Sequence, residues 1–504
     1  MTTIATDPST LVSRDVLESR NPATGELIAE HPVHDASSVA VAVEKAREAA
    51  SVWAELGFRE RRRHLLRWVS HLVSREQEIT QLIKSENGKP LDDAYLELML
   101  AIEHISWAAK NAERVLAPRS VRPGLLMANF HATVEERPFG VVGVIGPWNY
   151  PIYTPTGSIA YALAAGNAVV FKPSEHTPTV GTWFAHSFAE ANPDLPEGVL
   201  TAVTGYGAAG EALVRSGVDK IAFTGSTATG RKIMAAAAES LTPVILECGG
   251  KDAAIVADDA DVEAAAEAIA WGAMANGGQT CVGVERVYVH REVCDRFLAE
   301  VGRILEDVRP GSDADASYGP MTVASQAEIV KSHLDAALAS GGRLIAGGPE
   351  SFQAPFVAPL VVLDADEACA AVTEETFGPI ITVRAVESVD EAVALVNASQ
   401  YGLASTVFSR RHGVEIARRL RVGATSVNST LAFAAISSLP FGGVGASGFG
   451  RIHGDPGLRE FTRSHAIAAQ RFAIPGMALL SFARTRRTMN LVKKTVSVLH
   501  GRHS

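Results

Sequence analysis

The sequence predicts an α/β protein built on two open, mostly parallel sheets, and three observations carry that prediction. From residue 139 to about 247, short β-branched runs alternate with helix-like segments, the pattern of a parallel sheet covered by helices on both faces. A second series of the same kind runs from about 247 to 427. The 504 residues, 47% hydrophobic and 20% charged, also have an ordinary globular composition, with enough chain for two or three cores.

The elements follow in order. Between residues 36 and 116, "AVAVEKAREAASVWAEL", "RRRHLLRWVSHLVSREQEITQLIK" and "AYLELMLAIEHISWAAKNAERVL" repeat apolar residues near 3.6, and "NGKP" separates the last two. Residues 138–171 carry no charged side chain, but Pro147, Pro151 and Pro155 would break a lipid-exposed helix. This stretch therefore reads as a buried strand, a loop, a helix and another strand. "GVVGVIG", "NAVVFK", "GVLTAV", "KIAFTG" and "PVILE" read as the strands of the first sheet. In the second series, "RVYVH" and "PIITVRAV" are strands, and "AEAIAWGAMANGG", "EVCDRFLAEVGRILEDV" and "VDEAVALVNAS" are helices. "QAEIVKSHLDAALASGGRLIAGG" is a helix followed by a strand.

Composition excludes some functions. A net charge of −10 argues against nucleic acid as the main partner, since neutralising phosphates takes clustered Lys and Arg. The four cysteines, Cys248, Cys281, Cys294 and Cys369, show no C-x-x-C spacing and no paired histidines, so neither a metal site nor a disulfide framework is signalled. A reducing cytoplasm suits them. The first residues lack the apolar core of a secretory signal.

Polar motifs collect at the carboxyl ends of the predicted strands, where ligands of open α/β sheets bind. Gly205, Gly207 and Gly210 match G-x-G-x-x-G, but the next strand ends in "IAFTGST" without the expected acid, so a simple tight turn competes with a phosphate loop. Thr224, Gly225, Ser226 and Gly230 sit at a strand-to-helix turn suited to phosphate, and equally to a helix N-cap. Lys172 and Glu175, just past "NAVVF", suit ribose hydroxyls or a solvated loop. In "GGQTCVGVERV", Cys281 is a candidate nucleophile that needs a stabilised thiolate, a base and an oxyanion donor. Glu247 in "LECGGKD" suits the base, because an apolar setting raises a carboxyl pKa. Asn149, fixed in "GPWNYP" beside Trp148, suits the donor. A structural glutamate, a turn asparagine and a buried small cysteine are the plain alternatives. Cys294 and Cys369 read as buried hydrophobes, while Cys248 stays open.

Taken together, "GPWNYP", "FKPSEHTP", "FTGSTATG", "LECGGKDA", "GGQTCVGVERV", "EETFGP" and "PFGGVGASGFGR" resemble, in order and spacing, the motif set of the aldehyde dehydrogenase superfamily over roughly residues 21–461. The resemblance implies a Rossmann-like NAD-binding domain from 1–120 and 139–246 and a catalytic domain from 247–440. It also implies oligomerisation strands at 121–138 and 455–475, with a basic tail at 476–504. It implies Cys281 as nucleophile, Glu247 as general base and Asn149 as oxyanion donor, on a small flexible glycine loop. The cofactor would be NAD, favoured over NADP by Glu175 but not exclusively. Its contacts would come from Trp148, Lys172, Glu175, Thr224, Gly225, Ser226, Glu375 and Phe377. The implied product is a carboxylic acid formed through a thiohemiacetal and a thioester. The substrate is expected to be an apolar aliphatic or aromatic aldehyde, with Tyr153, Leu431, Phe433 and Phe441 lining its path. A semialdehyde or CoA-acylating relative is one alternative. A non-catalytic structural or membrane-binding protein on the same fold is another.

Departures from the family pattern stand at Cys248, where leucine is common, and at Ile452, where many members carry a glutamate. After Glu460 no acidic residue follows, while Arg463, Arg471, Arg484, Arg486, Arg487, Lys493, Lys494 and Arg502 are basic. The apolar "FAIPGMALLSFA" among them has about half the length needed to cross a bilayer. Two readings of this tail compete: peripheral contact with an anionic inner membrane face, or packing across a subunit interface. A homodimer or homotetramer in the cytoplasm is the expected assembly.

Overall fold

The structure is a computed structural model that describes residues 16–473 and 479–501. The N-terminal residues read for a signal, Arg502, and part of the apolar stretch before the C-terminal helix lie outside the described residues.

A hairpin of Val16–Arg20 and Leu27–Pro32 precedes four helices, Ala36–Glu55, Gly57–Ser74, Glu76–Asn87 and Leu91–Leu116. Asp35 caps the first, accepting from the Ser38 N–H at 2.8 Å. The run expected as one helix over residues 61–84 is broken at Arg75, whose backbone leaves the helical region (φ −114°, ψ 19°). Gly88, in the left-handed region at φ 93°, ends the third helix, which is the break that "NGKP" signals.

Six strands form the first sheet, in the order Gly448–Phe449, Val244–Cys248, Lys220–Gly225, Val141–Ile145, Ala168–Lys172, Leu200–Ala202. All pair in parallel except the first. Strand order reverses on either side of Val141–Ile145, which makes a crevice at the carboxyl ends of that strand and Lys220–Gly225. The helix Tyr153–Ala165 is buried at every position from Pro155 on, so its uncharged sequence reflects a core element surrounded by protein. It packs against the long helix Leu91–Leu116.

The second sheet runs Arg343–Ala346, Leu360–Leu363, Ile380–Val386, Arg286–His290, Ala253–Val256, Ala404–Phe408, Ala424–Val427, with only its first pair antiparallel. A third, antiparallel sheet joins Thr462–Gln470, Phe130–Pro138 and Arg119–Val121, with nine paired positions from Thr462↔Pro138 to Gln470↔Phe130. The helix Gly454–Glu460 leads directly into it. A last helix, Arg486–His500, is capped by Thr485. No described helix is long and apolar enough to cross a membrane. Cys294 is buried, whereas Cys369 is only half-buried.

Candidate active site

Thr224 and Glu247, at the carboxyl ends of first-sheet strands, border the same space as Cys281, which lies between Ala253–Val256 and Arg286–His290 in the chain. Thr224 and Glu247 are paired across neighbouring parallel strands, as are Gly225 and Cys248. Ser226 caps the helix Thr227–Ala238, its Oγ accepting from the Thr229 N–H at 3.2 Å. Lys172 ends its strand with its Nζ 3.2 Å from the Glu175 carboxylate. Burial pushes Glu175 up, but Lys172 beside it and the local backbone hold its carboxyl below the ordinary range.

Three consecutive residues with positive φ, Asn276, Gly277 and Gly278 at 55°, 63° and 69°, turn the chain toward Cys281. At Gly278 a side chain would collide with the Gly378 carbonyl, so only glycine fits. The loop differs from the flexible one expected, because it is buried and tied on several sides. The Gln279 amide donates to the Asn276 carbonyl at 2.8 Å and accepts from the Thr322 N–H at 2.9 Å, and the Asn276 amide donates to the Asn149 carbonyl at 3.1 Å.

Asn149 is almost fully buried, and its Nδ2 donates to the Gln279 carbonyl at 2.9 Å. Its loop is held from behind by residues the sequence had marked only as a helix break. Asn87 donates to the Trp148 carbonyl at 2.9 Å, and Lys89 donates to the Asn149 carbonyl at 2.9 Å. Lys89 is also paired at 2.6 Å with Glu97, whose other oxygen accepts from the Ile152 N–H at 2.8 Å. No motif pointed to Glu97, since one glutamate in an amphipathic helix looks like any solvated position.

Glu375 and Phe377 come from a loop anchored in the same way. The Glu285 carboxylate accepts from the Thr376 and Phe377 N–H groups at 2.8 and 2.9 Å and pairs with the buried Lys251. Glu375 accepts from the Gly250 N–H at 3.0 Å and lies so close over Gly249 that any side chain there would strike its carboxylate. Phe377 meets Trp148 edge to face, centroids 5.5 Å apart. Lys251 and Glu285 were not foreseen. Their signal was two charges within otherwise buried segments.

These groups border three connected spaces. A crevice of about 810 Å³ runs along Lys172, Glu175, Gly207, Gly210, Gly225 and Ser226. An apolar cavity of about 340 Å³ is walled by Leu96, Met99, Leu100, Trp271, Leu431 and Phe441. Between them lies a third of about 280 Å³, bordered by Asn149, Trp148, Glu375 and Phe377. Cys281 and Glu247 border both the apolar and the middle space. Tyr153, Leu431 and Phe441 line the apolar cavity. Phe433 does not; it packs behind Phe441 with ring centroids 6.1 Å apart. Ile452 forms part of the apolar wall.

The electrostatics correct one expectation. Burial, joined by the nearby Glu247, Asp252 and Glu375 carboxyls, pushes the Cys281 thiol far above its ordinary value, so the resting group is a thiol and not a stabilised thiolate. Burial also raises Glu247 to about 8, with only Arg451 opposing, and Glu375 to about 8. Glu247 Oε1 is buried without a hydrogen-bond partner. Cys248, beside it, is raised to about 11 by burial and by Glu247.

The chain is similar to known proteins over most of its length. The aldehyde dehydrogenase family model matches residues 11–467. The 4,4'-diapolycopene aldehyde oxidase of Methylomonas sp is 36% identical over 459 residues, covering 90% of this chain and 86% of that protein. A putative succinate-semialdehyde dehydrogenase (NADP+) 2 of Mycobacterium ulcerans (strain Agy99) is 35% identical, covering 89% and 87%. The crystal structure of NADP-dependent glyceraldehyde-3-phosphate dehydrogenase from Bacillus halodurans C-125 with NADP superposes with a TM-score of 0.85 at 32% identity, covering 91% and 96%. By sequence over nearly its whole length and by fold, this chain belongs to the aldehyde dehydrogenase family.

Proposed function

We propose that the chain oxidises apolar aldehydes to carboxylic acids, with Cys281 as nucleophile, Glu247 as general base and Asn149 as oxyanion donor. The observation that carries this reading is that Cys281 and Glu247 border both the apolar cavity and the middle space opening toward the crevice. The crevice fits a nicotinamide dinucleotide. It lies at a strand-order reversal and meets the start of the helix Thr227–Ala238 at Ser226, a position suited to pyrophosphate. Lys172 and Glu175 would hold the adenosine ribose, Thr224, Gly225 and Ser226 the pyrophosphate, and Trp148, Glu375 and Phe377 the nicotinamide end. NAD is preferred and NADP accepted, because the ionised Glu175 disfavours a 2′-phosphate while Lys172 offsets part of its charge. When bound, the dinucleotide supplies the hydride acceptor.

The Cys281 thiol passes its proton to the Glu247 carboxylate, which borders the same two spaces, as sulfur bonds to the aldehyde carbon to form a thiohemiacetal alkoxide, and Glu247 releases that proton to solvent before the thioester is hydrolysed. The alkoxide is met by the Asn149 amide, whose loop is fixed by Lys89 and Asn276 on its carbonyl and by Gln279 on its side chain, and by the Cys281 backbone N–H. Oxidation leaves a thioester on Cys281. Glu247, with an unpartnered buried oxygen, takes a proton from water. The resulting hydroxide adds to the thioester, the C–S bond breaks, and the acid is released.

The cavity wall supports an apolar substrate over a semialdehyde. Among the described residues it holds one lysine, Lys89, and no arginine, and Lys89 is already neutralised by Glu97. A second carboxylate on the substrate would meet no free cation there. A CoA-acylating enzyme is disfavoured by the presence of Glu247. Following NADH formation across aldehydes of rising chain length tests the proposal: activity should rise with apolar length and disappear in Cys281→Ala. Activity retained in that variant, or acyl-CoA in place of free acid, overturns it.

For the assembly we infer a homo-oligomer formed through the edge strand Thr462–Gln470, which is exposed at most positions of the single chain. We also infer peripheral contact of the C-terminal segment with anionic lipid. Arg484, Arg486, Arg487, Lys493 and Lys494 are all exposed, and Leu480 and Phe482 project beside them at 80% and 106% exposure.

A further inference from the structure

The apolar cavity is open at its outer end. Three residues of its wall, Leu96, Met99 and Trp271, are 42–51% exposed, so its mouth meets solvent between the helices Leu91–Leu116 and Val262–Met274. The apolar surface continues past that mouth. Leu91 and Tyr95, both exposed, precede Met99 at intervals of four on the first of these helices and therefore share its face. Ile436, also exposed, follows the wall residue Ala435. Single exposed apolar side chains are ordinary on a protein surface, but six gathered at one opening mark a surface that binds something.

Charge on the rim narrows the occupant. Each mouth residue has a carboxylate one turn away on its own helix: Asp92 beside Leu96, Glu103 beside Met99 and Glu267 beside Trp271. All three acids are exposed, and among the described residues none of them is in an ion pair. An anionic membrane face or an anionic chain end is repelled there, whereas an uncharged hydrocarbon chain is not. The cavity itself, at about 340 Å³, has room for on the order of ten methylene-sized groups if each takes the ~30 Å³ of a water molecule. A longer chain with its carbonyl carbon at Cys281 has to leave through the mouth, where it meets the apolar face. We propose that Leu91, Tyr95 and Ile436 form an outer binding site for the distal part of uncharged long-chain aldehydes, those too long to be enclosed, and that this class is the preferred substrate. This rests on the aldehyde-oxidising function proposed above.

The test follows kcat/KM of the full-length enzyme over n-alkanals from hexanal to hexadecanal, each delivered as monomer from cyclodextrin. A methylene laid against an exposed face loses about half the water that a fully buried one does, so each one added beyond decanal should still raise kcat/KM about twofold. Leu91→Ser/Tyr95→Ser should flatten the series past decanal and lower the hexadecanal-to-hexanal ratio roughly tenfold or more. Leu91→Met/Tyr95→Phe should keep the wild-type slope. Each ratio is internal to one variant, so a loss of stability does not imitate the effect. Hexadecanal bearing a terminal carboxylate should lose the advantage of length, and Asp92→Asn/Glu103→Gln/Glu267→Gln should return part of it. A wild-type series that levels off at decanal, or a slope unchanged in the serine variant, overturns the inference. If that variant keeps the slope but loses self-association or liposome binding, the face belongs to a second copy or to lipid, which overturns it as well. If short aldehydes are oxidised and length beyond decanal adds nothing, the outer site fails alone. If no aldehyde is oxidised, the proposed function fails with it.

Discussion

Replacing Glu247 with glutamine should change both the pH profile of turnover and the pH dependence of stability. Burial raises this carboxyl from 4.5 to about 8, a difference of about 5 kcal/mol between its two protonation states. Because the folded-state pKa is the raised one, the associated stability is complete below pH 4.5 and is lost as pH climbs through 8. About 3 kcal/mol of that loss falls between pH 6 and pH 9. Glutamine does not titrate, so Glu247→Gln should hold its denaturant midpoint over that window while the wild type falls away from it. In turnover the base must be ionised. With a pKa of about 8, about one molecule in ten is competent at pH 7, so wild-type kcat should rise about tenfold to a plateau above pH 8. The variant should lose this rise together with ~10²–10⁴ of the rate. Urea titrations and steady-state NADH formation from pH 5 to 9 measure both. Parallel stability curves and a level kcat would refute the assignment of Glu247 as the buried titrating base.

Asn149→Ala should lower kcat by about 10²–10³ with little change in KM for the aldehyde, read in steady-state assays at saturating dinucleotide. Glu285→Ala leaves Lys251 charged and unpaired in the interior; it should cost about 3–5 kcal/mol in chemical denaturation. Gly249→Ala displaces Glu375 and should raise KM for the dinucleotide on the order of tenfold with Cys281 alkylation unchanged. Removing the residues after Arg471 should abolish flotation with anionic liposomes while leaving neutral liposomes without effect, and binding unchanged by the truncation would overturn the lipid contact.

The strand-and-helix alternation was legible because each buried strand is a short β-branched run and each covering helix keeps one apolar face. The motif residues were legible because their chemistry is tied to neighbours in sequence: Cys281 behind "NGG", Glu247 before "CGG", Asn149 between prolines. What escaped was support from a distance. Glu97 lies 55 residues from the N–H it accepts, and Glu285 lies 91 residues from Thr376, and nothing local to either residue sets it apart from a surface charge. The upward push on the Cys281 thiol escaped for the same reason, since it comes first from burial and then from carboxyls brought in by two other segments, Glu247 with Asp252 and Glu375. The break at Arg75 was hidden because the apolar period continues across it.

Among the described residues the apolar cavity and the long crevice share only Thr224 along their walls, and the reacting residues border the middle space between them. On the proposed reading each ligand therefore has its own doorway. A spent dinucleotide can back out by its own route while the acyl group is still fastened to sulfur, and the vacated space then admits the water that frees it. Crowding at one entrance leaves traffic through the other untouched, so inhibitors shaped for the two sides should not compete.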